Sequence, residues 1–303
     1  MMHSSSDRDT GPHSVCPARD AERSADVLQD SNSVANECQA LAPIGVFDSG
    51  AGGLTILTAL RQVLPHEDYI YFGDTAYIPY GMRSEEEITN LTLRACRFLI
   101  ERGVKMIVVA CNTASQAALN TLRAKLPVPF VGVVPAIKPA ARLTRSGRVG
   151  VAATNRAAQA AYLRNLIDEF ADGIEVYAAG CPELVTLVER GEFDGPHVEE
   201  TLRTALHPLL SKGVDVIVLG CTHFPALRPA IERVVGPGIQ VIDSGPAIAR
   251  RVNAVLEAQN CLHPENRDHI GTLQVWCSGD AQHFSQVASS LLGYLVTAQQ
   301  TTL

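Results

Sequence analysis

One stretch of this 303-residue chain is written twice. Gly103-Val-Lys-Met-Ile-Val-Val-Ala-Cys111 returns 110 residues later as Gly213-Val-Asp-Val-Ile-Val-Leu-Gly-Cys221, with five of the nine positions identical. Each run is apolar and rich in β-branched residues, follows a helix-stopping glycine, and ends in a cysteine trailed by small polar residues. Such a run reads as a buried parallel strand. Each cysteine then sits where a strand ends and a loop opens, the end at which open α/β sheets hold ligands. A fold duplicated around that strand brings one thiol from each half to a shared site.

The rest of the chain alternates in the same way. Strands are predicted at Ile44–Phe47, Tyr69–Phe72, Val128–Val133, Arg148–Thr154, Ile174–Ala178, Ile239–Ile242 and Leu273–Cys277. Helices are predicted between them at Leu54–Val63, Ser115–Lys125, Gln159–Phe170, Val198–Leu210, Pro246–Gln259 and Ala281–Leu292, with a short one after Cys181. Ser84 and Glu87 form a capping box that opens a further helix with Ile88, Leu91, Ala95, Phe98 and Leu99 on one face. Strand–helix alternation implies a parallel sheet in each half. The expected fold is α/β, with two pseudo-symmetric lobes, each a mostly parallel sheet flanked by helices, and the active site in the cleft between them. The first lobe is expected to span residues 43–137 plus 245–303 and to carry Cys111. The second is expected over 138–244 and carries Cys221. Residues 1–42 are polar and aperiodic and are read as a disordered extension with a transient helix near Ala21–Leu28.

Composition narrows the function classes. A net charge of −7 argues against nucleic acid or an anionic membrane surface as main partner, and means that an acidic substrate must be held by local groups. No apolar run reaches the length of a membrane span, and the polar N-terminus lacks the apolar core of a secretory signal. A cytoplasmic location is expected. None of the eight cysteines forms a C-x-x-C pair, so zinc-ribbon and thioredoxin-like readings are weak and no metal site is expected. Cys96, in an amphipathic helix, and Cys277, at a strand end, read as packing residues.

The two repeated cysteines have different neighbours. Asn112-Thr113-Ala-Ser115 is good N-cap material, so a helix dipole and free amides should draw the Cys111 pKa down from about 8.5 toward neutrality. After Cys221, Pro225 and Pro229 delay a regular helix, but His223 lies two residues on and can polarise a thiolate. Disulfide exchange would want the thiols adjacent in one loop, and a nucleophilic hydrolase needs only one. Moving a proton from one face of a carbon to the other uses two acid/base groups, one thiolate and one thiol, which exchange roles with direction.

These motifs resemble those of the glutamate racemases. The resemblance rests on Val46-Phe-Asp48-Ser49-Gly-Ala-Gly-Gly-Leu-Thr, Tyr71-Phe-Gly-Asp-Thr-Ala-Tyr-Ile-Pro-Tyr80-Gly81, Ala110-Cys111-Asn112-Thr113-Ala-Ser, Cys181-Pro-Glu-Leu-Val-Thr-Leu-Val-Glu189, Gly220-Cys221-Thr222-His223-Phe-Pro, Ile242-Asp-Ser-Gly and Ser278-Gly-Asp280, over roughly residues 44–293. It implies racemisation of L- and D-glutamate for peptidoglycan synthesis without a cofactor. Cys111 and Cys221 would be the two bases, acting on D- and L-glutamate respectively. Asp48 would assist Cys111 and the substrate ammonium; His223 would assist Cys221, with Glu189 on that side. Ser49, Tyr80, Gly81, Asn112, Thr113, Thr154 and Thr222 would hold the carboxylates and amine, with Asp48 and His223 beside them. A threonine common in the family three residues after Thr154 is Ala157 here. Some relatives are activated by UDP-MurNAc-L-alanine, and the family commonly dimerises through differing surfaces. The head of this chain is read as an inert tail.

Plainer readings stand beside these. Asp48 and Asp243 suit turns or caps, His223 a helix entry, Glu189 a solvated helix end and Tyr80 a cover for the cleft. An aspartate racemase with a differently sized pocket is the nearest rival, although Thr222-His223 favours glutamate. A pyridoxal-phosphate enzyme is disfavoured by the setting of the chain's four lysines. A non-catalytic binding or regulatory protein on the same fold is the rival from another class.

Overall fold

Two all-parallel sheets carry the fold, in a computed structural model that describes residues 39–264 and 269–303. In the first lobe, β1 (Ile44–Asp48), β2 (Tyr69–Gly73), β3 (Met106–Val109) and β4 (Phe130–Gly132) lie side by side as β2-β1-β3-β4. The second lobe repeats that order one set later: β5 (Arg148–Ala153), β6 (Glu175–Gly180), β7 (Val216–Leu219) and β8 (Gln240–Ile242) lie as β6-β5-β7-β8. The duplicated segment is therefore the third strand of each lobe, β3 and β7. Beyond β2 the first sheet is extended by β9 (Leu273–Cys277) and then β10 (Ala298–Gln300).

Strands β3 and β7 are hydrophobic in every residue because both faces are covered. Alternate side chains feed two separate cores. Val46, Tyr71 and Val108 join one, while Phe47, Phe72 and Val109 join the other. The second lobe does the same, with Val151 and Val218 on one side and Ala152 and Leu219 on the other.

The helices that matter for the site follow the strands. They are α1 (Leu54–Val63) after β1, α2 (Glu85–Ile100) after β2 and α3 (Asn112–Lys125) after β3. Then come α4 (Ile137–Leu143), α5 (Asn155–Gln159), α6 (Ala161–Phe170), α7 (Pro182–Glu189), α8 (Pro196–Leu210) and α9 (Arg228–Val235). Last are α10 (Gly245–Ala258), which returns to pack on α1, and α11 (Ala281–Leu292). The Ser84–Glu87 capping box forms at the start of α2 with both of its hydrogen bonds.

Several local expectations change. The helix predicted from Gln159 begins at Ala161 (α6), and an unpredicted short helix, α5, precedes it: Thr154 caps α5 by accepting from the Ala157 N–H, and extended backbone at Ala160 separates the two. The helix predicted from Ser115 begins three residues earlier, at Asn112, with Cys111 itself as the cap. Helix α4 and strand β10 carry no pattern strong enough to predict. The expected head, residues 1–42, and its transient helix lie outside the described residues as far as residue 38. Ala40 is buried, and its carbonyl accepts from Lys105 Nζ at 2.7 Å. Among the described residues no helix is long and apolar enough to cross a membrane.

Candidate active site

Sheets ordered in this way leave their crevice above the carboxyl ends of the first and third strands. In the first lobe those ends carry Asp48-Ser49 (β1) and Cys111 (β3); in the second they carry Thr154 (β5) and Cys221 (β7). All four chain segments converge on one small cavity of ≈ 20 Å³, room for about one water. Its walls include Ser49, Tyr80, Gly81, Cys111, Asn112, Thr113, Thr154, Cys221, Thr222 and His223, so ten of the twelve predicted site residues face it. Asp48 and Glu189 stand directly behind. Ile78, Pro79 and Val185 also line it, apolar residues that sequence motifs did not single out. A glutamate does not fit so small a space, so the lobes must part to admit one. Outside lies a wider depression of ≈ 570 Å³ between the lobes, sharing Gly81 and Thr113 with the inner cavity.

On the first-lobe side, Cys111 Sγ accepts from the Ala114 N–H at 3.4 Å and lies 3.5 Å from Ser49 Oγ. The Asp48 carboxylate accepts from the Gly50 N–H at 2.8 Å and from Thr222 Oγ1, across the cleft, at 3.0 Å. The dipole help expected for Cys111 is present, but burial outweighs it. Burial, with the nearby Asp48 charge, pushes this thiol up to about 12 despite the Ala114 amide and Ser49 hydroxyl. The expected shift toward neutrality is thus reversed in this closed cleft, and Cys111 holds its proton. Burial also raises Asp48 to about 6, against the pull of His223, the Gly50 amide and Thr222.

The second-lobe side is built differently. After Cys221 comes a tight helical turn, Phe224–Leu227, and then α9 with Pro229 in its first turn, as the prolines implied. Cys221 Sγ lies 3.6 Å from His223 Nδ1. His223 Nε2–H donates to Glu189 Oε1 at 2.6 Å, and the same oxygen accepts the Ala51 N–H of the first lobe at 2.7 Å. Burial disfavours a charged imidazole, but Cys221 and Glu189 override it and hold the His223 pKa well above its ordinary value.

The loop Asp48-Ser-Gly-Ala-Gly-Gly53 is explained by this arrangement. A Cβ at Gly50 would overlap the Glu189 carboxylate, and one at Gly52 would overlap the His223 ring. These glycines exist so that two side chains of the opposite lobe can approach the backbone.

Tyr80 commits its hydroxyl within its own lobe. Its hydroxyl donates to Asp74 Oδ2 at 2.5 Å, and Asp74 also accepts from Ser278 Oγ at 2.6 Å, so its ring, not its hydroxyl, faces the cavity. Thr113 and Thr154 meet hydroxyl to hydroxyl across the cleft at 3.1 Å, and Thr55 Oγ1 donates to the Thr222 carbonyl at 2.8 Å. Asn112 Oδ1 is buried and finds no hydrogen-bond partner among the described residues. Asp243 keeps to its plainer reading, accepting from the Gly245 N–H and pairing with Arg228. Cys96 and Cys277 are buried, as the packing reading required.

The chain is similar to known proteins along nearly all of its described length. A family model described as Asp/Glu/hydantoin racemase matches residues 54–252. A glutamate racemase of Herpetosiphon aurantiacus is 45% identical over 249 residues, covering 82% of this chain and 97% of the relative. The crystal structure of a glutamate racemase isoform from Bacillus anthracis superposes with a TM-score of 0.77 at 32% identity, covering 86% of this chain and 98% of that one. The Escherichia coli glutamate racemase, solved with L-glutamate and the activator UDP-MurNAc-Ala, superposes at 0.76 with 36% identity, covering 86% and 98%. With that much identity over nearly the full length of its relatives, the chain belongs to the Asp/Glu/hydantoin racemase family and, within it, to the glutamate racemases.

Proposed function

We propose that this protein interconverts L- and D-glutamate by two-base proton transfer between Cys221 and Cys111, supplying D-glutamate for peptidoglycan. The observation that carries the reading is a pair of thiols, from equivalent strands of the two lobes, facing one small cavity.

In the L-to-D direction the Cys221 thiolate removes the Cα proton. The electron pair passes into the α-carboxylate, and the Cys111 thiol returns its own proton to the opposite face. Negative charge has then moved from one sulfur to the other, and the reverse reaction restores it. The His223 imidazolium, steadied by Glu189, offsets the charge on Cys221. Ser49 and the Ala114 N–H offer hydrogen bonds to Cys111. Asp48 would pair with the substrate ammonium, and Asn112 Oδ1, buried without a partner among the described residues, would offer that ammonium an acceptor. Thr113, Thr154, Thr222 and backbone about Gly81 supply donors for the two carboxylates, and Tyr80 closes the wall by its ring. Water excluded from such a cavity neither screens these bonds nor competes for the carbanion.

The lobe boundaries belong to the same reading: 43–137 with 245–303, and 138–244. Support comes from the membership of the two sheets and from the return of α10 onto α1. A cytoplasmic location rests on the sequence composition, while a homodimer and activation by a UDP-MurNAc-L-alanine-type precursor are carried over from the resemblance, the last supported by the activator named for the Escherichia coli relative.

The test is incubation with L-glutamate in heavy water without added cofactor. Loss of optical rotation with deuterium at Cα is expected. Cys111→Ala and Cys221→Ala should each reduce racemisation by about 10²-fold to 10⁴-fold. A single variant racemising at the parental rate ends the two-base reading, and turnover of aspartate in place of glutamate reassigns the substrate.

A further inference from the structure

The amino ends of β2 and β9 lie at the end of the first sheet away from the thiols. Three side chains with metal-ligand chemistry meet there: Asp68, just before β2, and His263 and His269, from the connection between α10 and β9. One ligand atom from each lies within 4.8 Å of the others. No step of the racemisation uses them, and they share no residue with the cleft.

Each of the three is held in place by a separate contact. The Thr272 N–H and hydroxyl donate to Asp68 Oδ1 at 2.7 and 2.6 Å, which fixes the carboxylate and leaves Oδ2 without a protein donor among the described residues. The His263 N–H donates to Glu67 Oε1 at 2.8 Å, and Glu67 is itself locked to buried Lys105. His66 Nδ1–H donates to the His269 carbonyl at 2.7 Å.

The tautomers are suited to ligation. His263 Nδ1 lies 2.9 Å from the Pro264 carbonyl, which can only accept, so the proton is on Nδ1 and Nε2 keeps its lone pair. A ring N–H given to a backbone carbonyl is the usual way in which a metal-ligating histidine is oriented. His269 Nε2 is buried, has no hydrogen-bond partner among the described residues, and lies 3.5 Å from Asp68 Oδ1. The two imidazoles stack at 4.5 Å and 9°.

We propose that Asp68, His263 and His269 form a site for a divalent transition cation of the zinc type, with water completing the coordination. Two imidazoles and a carboxylate are a common donor set for zinc. Tetrahedral ligation at about 2.0–2.1 Å requires donor atoms ~3.3 Å apart. Rotation of the imidazoles about their soft χ2 torsions supplies the remaining approach. The cation would staple the segment between α10 and β9 to the start of β2. Its role is structural and leaves proton transfer to the thiols.

The test uses the full chain, stripped with chelator and titrated with Zn²⁺ by calorimetry and with Co²⁺ by absorption. One equivalent is expected to bind saturably, with cobalt d–d bands and no thiolate charge-transfer band. Because loss of an outer-shell partner already costs about 10–100-fold in metal affinity, His263→Ala and His269→Ala should each weaken binding by more than about 100-fold. Metal should raise the unfolding midpoint of the parent and not of these variants. Racemisation by the metal-free variants should equal that of the metal-free parent, which also reports that they fold. Absence of saturable binding, a thiolate charge-transfer band, or variants that bind as the parent does would overturn the assignment.

Discussion

Cys111 and Cys221 leave equivalent strands of equivalently ordered sheets, yet their surroundings share almost nothing. Cys111 caps a fourteen-residue helix and meets only a backbone amide and a serine hydroxyl. Cys221 enters a turn broken by prolines and meets an imidazole backed by a carboxylate. Burial and the nearby Asp48 charge keep the proton on the first thiol against the pull of the amide and the hydroxyl; the second has a positive charge beside it. Duplication thus supplied symmetric positions, and divergence of the following residues supplied different polar partners. Cys181 sharpens the contrast. It too follows a strand, β6, and precedes a helix, but its Sγ turns into the core toward the Ala205 carbonyl, and burial pushes its pKa up to about 12.

The asymmetry can be broken piece by piece. After the two cysteine substitutions, the largest loss is expected for His223→Gln, which removes the only cation beside Cys221 among the described residues; turnover should fall by about 10²-fold or more. Enantiomers have equal free energies, so kcat/KM must fall equally in both directions. The asymmetry appears instead in the primary deuterium isotope effect, which should rise for L-glutamate and not for D-glutamate. Equal isotope effects would show that His223 does not serve Cys221 alone.

Next comes Asp48→Asn, which keeps an acceptor for Gly50 but loses the charge offered to the ammonium; a KM increase of about 10-fold to 10²-fold is expected. The same variant has a signature in stability. Burial holds Asp48 at about 6, above the ~3.9 of an exposed aspartate, so between those values the folded chain keeps a proton that the unfolded chain has lost. Its contribution is full below about pH 4 and is lost as pH rises through about 6, on the order of 3 kcal/mol. Urea unfolding across that window should show the decline in the parent and a flatter profile in Asp48→Asn.

Smaller still is Thr55→Val, which deletes the hydrogen bond to the Thr222 carbonyl; about 1 kcal/mol of stability should go. Smallest in chemistry is Cys181→Ala, expected to leave kcat and KM at parental values while costing about 1 kcal/mol in denaturation. Lost turnover there would mean that strand-end position alone does not separate the working thiols from the packed one.

Much of this was legible because the informative residues are local in sequence. Apolar runs closed by glycine marked β3 and β7, and the Ser84–Glu87 spacing marked the start of α2. Eleven of the twelve site residues lie at strand ends or in the loops and helix starts just after them, where alternation of strand and helix already points; Glu189 instead closes α7. What stayed hidden depended on distant partners. Whether Tyr80 offers its hydroxyl or its ring is decided by Asp74 and Ser278, the latter 198 residues away in sequence. The Cys111 expectation failed because a favourable helix end can be read from neighbouring residues, whereas the depth of burial cannot. Strand β10 is three residues long and held only by β9, so no local pattern announces it. The histidines near β9 gave no motif, since Asp68 joins them only through the parallel pairing of β2 with β9.

One oxygen of Glu189 accepts both from His223 on its own lobe and from the Ala51 amide on the other. Parting the lobes to admit a guest must break the second of these bonds, and the imidazole loses part of its scaffold at the same moment. On the proposed reading, entry of a guest and assembly of the base at Cys221 are thereby coupled through a single carboxylate oxygen.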